Sequence, residues 1–322
     1  MTGRPLRLCY LAVGAFSHVG PYLEHFKEAG HEVSFVALSP SPPRPVPTYE
    51  LGLGGVYDGV RGKWKYPLSM ARARLLIKRL RPDIVHAHYA TSGGLAGLVC
   101  GHHPTVVTAH GTDLTQGSRS PVWRPLLKAV LSGADCVNTV SEDLKRMALG
   151  LGVDERKIEV FTPGIETRRF MTGERRKAPR GRALRLVCTR RMERELDCAA
   201  VVEALARLKA RGVPFQATLA GDGSLRGELE RLARRRGLGG ECVFAGAVSQ
   251  AEMPALLRAH DVYLSASRWD GASLSLLEAL AAGLFPVVSR IAANEAWLEH
   301  GVSGLLHAPG DPADLARLLE EA

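Results

Sequence analysis

Ser265-Ala-Ser-Arg-Trp-Asp-Gly-Ala-Ser-Leu-Ser-Leu-Leu-Glu-Ala-Leu-Ala-Ala-Gly-Leu-Phe-Pro-Val-Val-Ser289 reads as the end of a strand, a tight loop, a helix, a glycine stop and the next strand. The residues leading into it, Asp261-Val-Tyr-Leu-Ser265, are apolar and β-favouring, as in a strand buried on both faces. Asp270-Gly271 is a turn signal, and Ser273 is placed to cap the helix. From Leu274 to Ala282 the composition is almost all leucine and alanine, which suits a helix with little exposed surface. Gly283 ends it, and Phe285-Pro-Val-Val-Ser289 opens the following strand.

Two acids interrupt this apolar run. Asp270 lies in the loop and Glu278 about a turn and a half into the helix. A carboxylate inside an apolar helix is costly unless paired or hydrogen-bonded, so Glu278 is expected to face a polar cavity. Between the acids lies a helix N-terminus, whose free amides and positive dipole end suit a phosphate. Acid, amides and acid in that order fit a ligand with hydroxyls at both ends and phosphate between, as in a nucleotide sugar. The plain alternative is an N-cap acid and a helix acid paired to an arginine.

Outward from this stretch, the chain builds two α/β halves. Strand candidate Leu6 to Val13, loop Gly14 to Gly20, helix Pro21 to Ala29 and strand His31 to Leu38 form a βαβ unit that opens a doubly wound sheet. Ligands of such sheets bind beyond the carboxyl ends of strands, which makes the loop from Gly14 a binding candidate. Ser39 to Pro47 carries five prolines and reads as an irregular loop. Further strand candidates are Ile84 to His88, Thr105 to His110, Ala134 to Val140 and Lys157 to Phe161. A polar basic linker, Thr172 to Arg182, precedes a restart at Leu184-Arg-Leu-Val-Cys188. A second α/β sheet follows with strands Phe215 to Ala220 and Cys242 to Phe244. The expected domains are 1–170 and 171–322, two Rossmann-like parallel-sheet domains facing each other across a cleft.

The bulk properties narrow the function. The six cysteines are scattered with no close pair, so neither a disulfide frame nor a zinc site is expected. The first loop lacks the full Gly-x-Gly-x-x-Gly pattern, and no His, Cys or Asp group has metal spacing, so neither a dinucleotide cofactor nor a metal is expected. No apolar run approaches the ~18 residues needed to span a membrane, and the N-terminal run is short for a signal peptide. A cytoplasmic location is expected. The net charge of +9 lies mostly before residue 171, and Arg61 to Arg81 alone holds eight basic residues with Trp64 and Tyr66. Such a patch suits peripheral contact with an anionic membrane on its inner face, or a lipid-linked acceptor; a solvated helix face explains it equally. The charge alone raises nucleic acid as a partner, but no recognisable binding motif accompanies it.

Asp270-x7-Glu278 followed by Ala-Leu-Ala-Ala-Gly-Leu-Phe-Pro-Val-Val resembles the donor-binding signature of glycosyltransferase family 4, Glu-x7-Glu with Ala-Met-Ala-x-Gly-x-Pro-Val-Val. Gly30-His-Glu-Val33, Asp83-Ile-Val-His-Ala-His88, Val107-Thr-Ala-His-Gly-Thr-Asp113, Pro163-Gly164 with Phe170, and Leu219-Ala-Gly-Asp-Gly223 resemble its other landmarks in order. The resemblance implies a GT-B fold, α/β, with acceptor held mainly by the first domain and donor by the second. It implies a retaining, metal-independent transfer of a sugar from a nucleotide donor to an acceptor hydroxyl, with the leaving phosphate taking the acceptor proton.

Residue by residue, the resemblance implies that His110 and Asp113 of the His-Gly-Thr-Asp113 motif bind the acceptor, with His18 a loop histidine beside it, and Gly14 of the first loop is expected at the donor. Arg190 is implied to grip the donor pyrophosphate, with Arg194 in place of the family's lysine, since position 195 is Glu. Gly246 and Val248 stand where relatives seat the nucleobase, the amides of Ser273 and Leu274 at the phosphate, Asp270 at the sugar and Glu278 at the ribose. Catalytic roles are expected of His110, Arg190 and Asp270. Asp for the first Glu shortens the reach by one methylene. The crossover helix that usually follows the signature does not appear after Leu318-Leu-Glu-Glu-Ala322, so either the crossover is missing or the sequence is cut short. A nucleotide-sugar 2-epimerase of the same fold and a sugar-nucleotide-binding module without turnover are the rival readings.

Overall fold

The computed structural model describes residues 4–14, 19–52, 66–171 and 183–322. The chain divides into two compact units, Met1–Thr162 and Pro163–Ala322. The division falls before Pro163 and not after Phe170. The short helix Thr167–Phe170 carries Phe170 into a core of the second unit, where it is buried with Val187, Tyr263, Leu276 and Leu298. The expected linker at 172–182 lies outside the described residues.

The first unit is built on a parallel sheet of β1 (Arg7–Ala12), β2 (Glu32–Ala37), β3 (Thr48–Glu50), β4 (Ile84–His88), β5 (Thr105–Ala109), β6 (Cys136–Thr139) and β7 (Ile158–Val160). Their order across the sheet is β3-β2-β1-β4-β5-β6-β7, so strand order reverses between β1 and β4. Its helices are α1 (Gly20–Glu28), α2 (Tyr66–Leu80), α3 (Leu95–Cys100), α4 (Thr112–Thr115), α5 (Trp123–Gly133) and α6 (Glu142–Gly150). Tyr10, Leu11 and Ala12 of β1 are fully buried, as a central strand covered on both faces requires.

The second unit repeats the plan. Strands β8 (Leu184–Cys188), β9 (Phe215–Leu219), β10 (Cys242–Phe244), β11 (Val262–Ser265), β12 (Phe285–Ser289) and β13 (Leu305–His307) run parallel in the order β10-β9-β8-β11-β12-β13. The reversal here lies between β8 and β11. The helices, after α7 (Thr167–Phe170), are α8 (Cys198–Ala210), α9 (Arg226–Arg235), α10 (Met253–Arg258), α11 (Leu274–Ala281), α12 (Ala292–Glu295) and α13 (Pro312–Glu321). Leu315, Ala316, Leu318 and Leu319 of α13 are buried in the same core as Val201, Leu205 and Leu208 of α8, so this helix belongs to the second unit's own core.

Candidate active site

The reversal between β8 and β11 positions the principal cluster. Adjacent parallel strands end side by side there, and the crevice beyond them is where open α/β sheets bind ligands. Val262 and Tyr263 of β11 pair with Leu186 and Val187 of β8, so the segments after the two strands emerge together. Arg190 comes from the first segment and Asp270 from the second.

The two groups hold each other. Arg190 Nη2 donates to Asp270 Oδ2 at 2.6 Å, with side chains only 10% and 16% exposed. Arg190 Nη1 donates to Ser275 Oγ at 2.8 Å, and Tyr263 Oη donates to the same hydroxyl at 2.8 Å. Arg190 Nε is buried with no partner among the described residues. Burial alone would lower the Arg190 pKa, but the Asp270 charge and hydrogen bond outweigh it and hold the guanidinium charged. Burial pushes the Tyr263 phenol up to about 12, so it remains a hydrogen-bond donor.

The start of α11 differs from expectation in two details. Ser273 occupies the N-cap position, yet its hydroxyl makes no capping bond. The Leu274 amide is not open to a ligand, because it donates to the Ala272 carbonyl at 3.0 Å in a tight turn. Leu276 and Leu277 both donate to the Ser273 carbonyl. The amides of Ser273 and Ser275 have no partner among the described residues, so the donors left open at this helix start are those two and not Leu274. Glu278, further along α11, is half-buried. Burial raises its pKa, against a hydrogen bond with Gln250 and the charge of Arg169. Arg169 in turn donates to the Gln250 carbonyl at 2.9 Å.

Arg194 is exposed and makes no ion pair among the described residues. Its neighbour Glu193 is engaged with Ser224, accepting from its amide at 3.1 Å and its hydroxyl at 2.6 Å. Gly246 follows β10 with φ +75°, a conformation that favours glycine, and the Arg226 guanidinium lies 3.1 Å from where a Cβ would stand. Val248 packs, half-buried, on the core that holds Phe170 and Leu276.

In the first unit the side chains gather at the ends of β4 and β5. His88 is fully buried, and its Nδ1 lies 2.9 Å from His110 Nε2. The rings of His86 and His88 stack at 4.4 Å, His88 and His110 at 5.2 Å, and Tyr89 and His110 at 5.1 Å. Tyr89 takes a left-handed φ of 68°, strain of the kind that collects at functional sites. His86 is bonded to Thr108 Oγ1 at 2.7 Å, and burial lowers its pKa to about 4.

Two expectations are corrected here, Asp113 at the acceptor and Gly14 at the donor. Asp113 is not a ligand group: it is buried, and its carboxylate accepts from the amides of Ala90 (2.9 Å), Gly111 (2.8 Å), Leu114 (3.1 Å) and His110 (3.3 Å). It ties the His110 loop to the end of β4. Burial pushes its pKa up, and the four amides oppose that. Gly14 is glycine for a packing reason, since a Cβ there would meet the Pro40 and Ser39 carbonyl oxygens at 2.4 and 2.5 Å. Its amide is taken by Ser39 Oγ and its carbonyl by Arg44. His18 lies outside the described residues, as do residues 61–65 of the basic run.

Ser275, Tyr263, Gln250 and Arg169 escaped the sequence reading. Ser275 left a signal, a hydroxyl among leucines and alanines on the same helix as Glu278. Tyr263 left none, because a tyrosine in an apolar strand reads as core. Among the described residues, no group of three or more His, Cys, Asp or Glu could hold a metal ion.

Two family models cover most of the chain: Glycosyltransferase Family 4 over residues 14–169, and Glycosyl transferases group 1 over residues 183–322. The chain is 31% identical over 242 residues to the Bacillus subtilis protein named glycosyltransferase EpsF, a match spanning 69% of this chain and 62% of that protein. It is 29% identical over 314 residues to the phosphatidyl-myo-inositol mannosyltransferase of Mycolicibacterium smegmatis, covering 94% of this chain and 78% of that one. The fold matches that of Anabaena HepE, solved in complex with UDP and glucose. The TM-score is 0.80 at 17% identity, over 98% of this chain and 89% of HepE. That likeness shows the GT-B architecture, two parallel α/β sheets.

Proposed function

Because this chain belongs to glycosyltransferase family 4, we propose that it moves a sugar from a nucleotide-sugar donor to an acceptor hydroxyl, with retention at the anomeric carbon. One observation carries the reading. The reversal of the second sheet brings a held-charged Arg190, the acid Asp270 and the free amides of Ser273 and Ser275 to one place, with Glu278 farther along the same helix. Arg190 and the two amides stabilise negative charge on the departing diphosphate, and Arg194 adds an exposed cation. Asp270 holds sugar hydroxyls, Glu278 the ribose, and Gly246 and Val248 flank the base. The acceptor oxygen bonds to the anomeric carbon as the bond from that carbon to phosphate breaks, and the leaving phosphate takes the hydroxyl proton. The protein contributes position and charge, and no metal is needed for either.

On the acceptor side, His110 orients the hydroxyl, and Asp113 acts by fixing the loop that carries it. Leu68 and Leu75 of α2 are more than half exposed beside Arg72, Arg74, Lys78 and Arg79, and residues 66–81 contain no acid. This face suits the surface of an anionic membrane and, with it, a lipid-linked acceptor.

A thermal-shift panel of UDP, GDP, ADP and their sugar conjugates tests the donor assignment, with UDP-glucose the first to try. A donor at a hundred times its dissociation constant adds ~2.7 kcal/mol of stability. Transfer that persists in EDTA supports charge supplied by the protein alone. No shift with any member of the panel refutes the reading.

A further inference from the structure

Arg190 and Asp270 are each assigned to the donor, one to its diphosphate and one to its sugar, yet in the fold they are bound to each other. A guanidinium takes carboxylate and phosphate through the same planar fork, so a phosphate seated on Nη2 and the unpartnered Nε competes with the carboxylate already on Nη2. The two sides of Arg190 are held differently. Ser275 Oγ grips Nη1 at 2.8 Å and is itself held at 2.8 Å by the fully buried Tyr263, so this side is fixed to β11 and α11. The Nη2 side rests on Asp270, in a loop next to Gly271.

We propose that Asp270 is an internal competitor for Arg190, exchanged for the donor diphosphate when the nucleotide sugar binds. Tyr263 and Ser275 keep the guanidinium in place while the carboxylate leaves Nη2 and turns to the sugar hydroxyls. A nucleotide sugar repays the broken ion pair with hydroxyls for the freed carboxylate. A bare nucleoside diphosphate does not, so Asp270 returns to Arg190 and drives it off. Asp270 thereby sets the preference for nucleotide sugar over nucleoside diphosphate and speeds release of the spent nucleotide. The inference rests on the donor-site reading above.

Calorimetric titration with UDP, GDP and ADP, of the unaltered chain and of Asp270→Asn, Arg190→Met and the double variant, tests it. Asp270→Asn is expected to bind the nucleoside diphosphate about tenfold more tightly, the scale of one charge-assisted hydrogen bond. Its sugar transfer is expected to fall, with nucleoside diphosphate a stronger product inhibitor. In the Arg190→Met background the gain from Asp270→Asn is expected to vanish, because the group competed for is gone. Melting curves accompany each variant, and Arg190→Lys serves as the background if Arg190→Met does not fold. Equal or weaker binding by Asp270→Asn overturns the proposal. So does a gain of the same size in both backgrounds, which shows that the carboxylate merely repels phosphate through space. If neither the unaltered chain nor Asp270→Asn binds any of the three nucleotides, the donor-site reading falls and the exchange with it.

Discussion

Glu278 and Asp113 are both carboxyl groups withdrawn from water, and they differ in what the fold offers them. At Glu278 burial raises the pKa although Gln250 and Arg169 pull the other way. The folded chain then holds that proton more tightly than the unfolded one. The stability due to this group is fully present below the ordinary glutamate pKa and is lost as pH rises through the raised value. Ionised Glu278 therefore weakens the fold at neutral pH. Glu278→Gln is expected to raise the Tm at about pH 7, with the gain fading towards about pH 4, where the native side chain is protonated as well. Donor KM is expected to rise more than kcat falls, since a ribose contact acts alike in ground and transition states. Melting curves across that pH range beside steady-state kinetics check both, and a lower Tm at neutral pH contradicts the first. Asp113, by contrast, sits among four amide donors. Asp113→Asn turns an amide group towards some of those donors, and the expected cost is about 2–4 kcal/mol in denaturant melts. Activity should fall with it, because the loop carrying His110 is no longer tied to Ala90.

At the scale of elements, the strands that frame the donor site were legible because they are apolar runs bounded by turn residues: 184–188 and 285–289 are found as read, and β11 begins one residue later than expected. β3 was not legible, since Thr48–Glu50 is three residues of a polar edge strand directly after the proline run. Sequence gave Arg190 and Asp270 as ligand groups but not as partners 80 residues apart, because which strands lie side by side at a reversal is a property of the sheet. The same limit hid the amide shift in α11, since the Leu274–Ala272 turn depends on backbone angles at Ser273 that no residue type there dictates. For α2 the pattern was legible as basic and amphipathic, and the structure adds which leucines are left outside. Leu68 and Leu75 are seven residues apart, two turns along the helix and so on one side of it. Leu75→Glu should change stability by no more than about 0.5 kcal/mol, as at an ordinary surface site. It should abolish co-sedimentation with anionic liposomes at low salt. If the unaltered chain does not sediment at low salt either, α2 is a solvated face and the membrane assignment fails.

For the molecule as a whole, the donor and acceptor candidates divide between the units. Arg190, Arg194, Gly246, Val248, Asp270, Ser273 and Glu278 all lie in Pro163–Ala322, whereas His110 lies in Met1–Thr162. The second unit has cores of its own on both faces of its sheet, one closed by α8 and α13, the other by Phe170 and α11. A fragment of residues 163–322 is therefore expected to fold cooperatively and to bind the nucleoside diphosphate that the full chain binds, without transferring sugar. The division before Pro163 sharpens the test. A fragment of residues 171–322 lacks Phe170, which is 3% exposed and packs on Leu276 and Ala279 of α11, the helix whose amides and Glu278 form the site. Phe170→Ala in the longer fragment should cost about 3–5 kcal/mol, the range for removing a buried phenylalanine. The 171–322 fragment should melt lower still, because it also loses the Arg169–Gln250 bond beside Glu278. Its nucleotide affinity should fall with the melting temperature if α7 supports the site by packing. Calorimetry on the three fragments decides it: equal melting and equal affinity with and without residues 163–170 would return that segment to the first unit and leave α11 to be held by its own sheet.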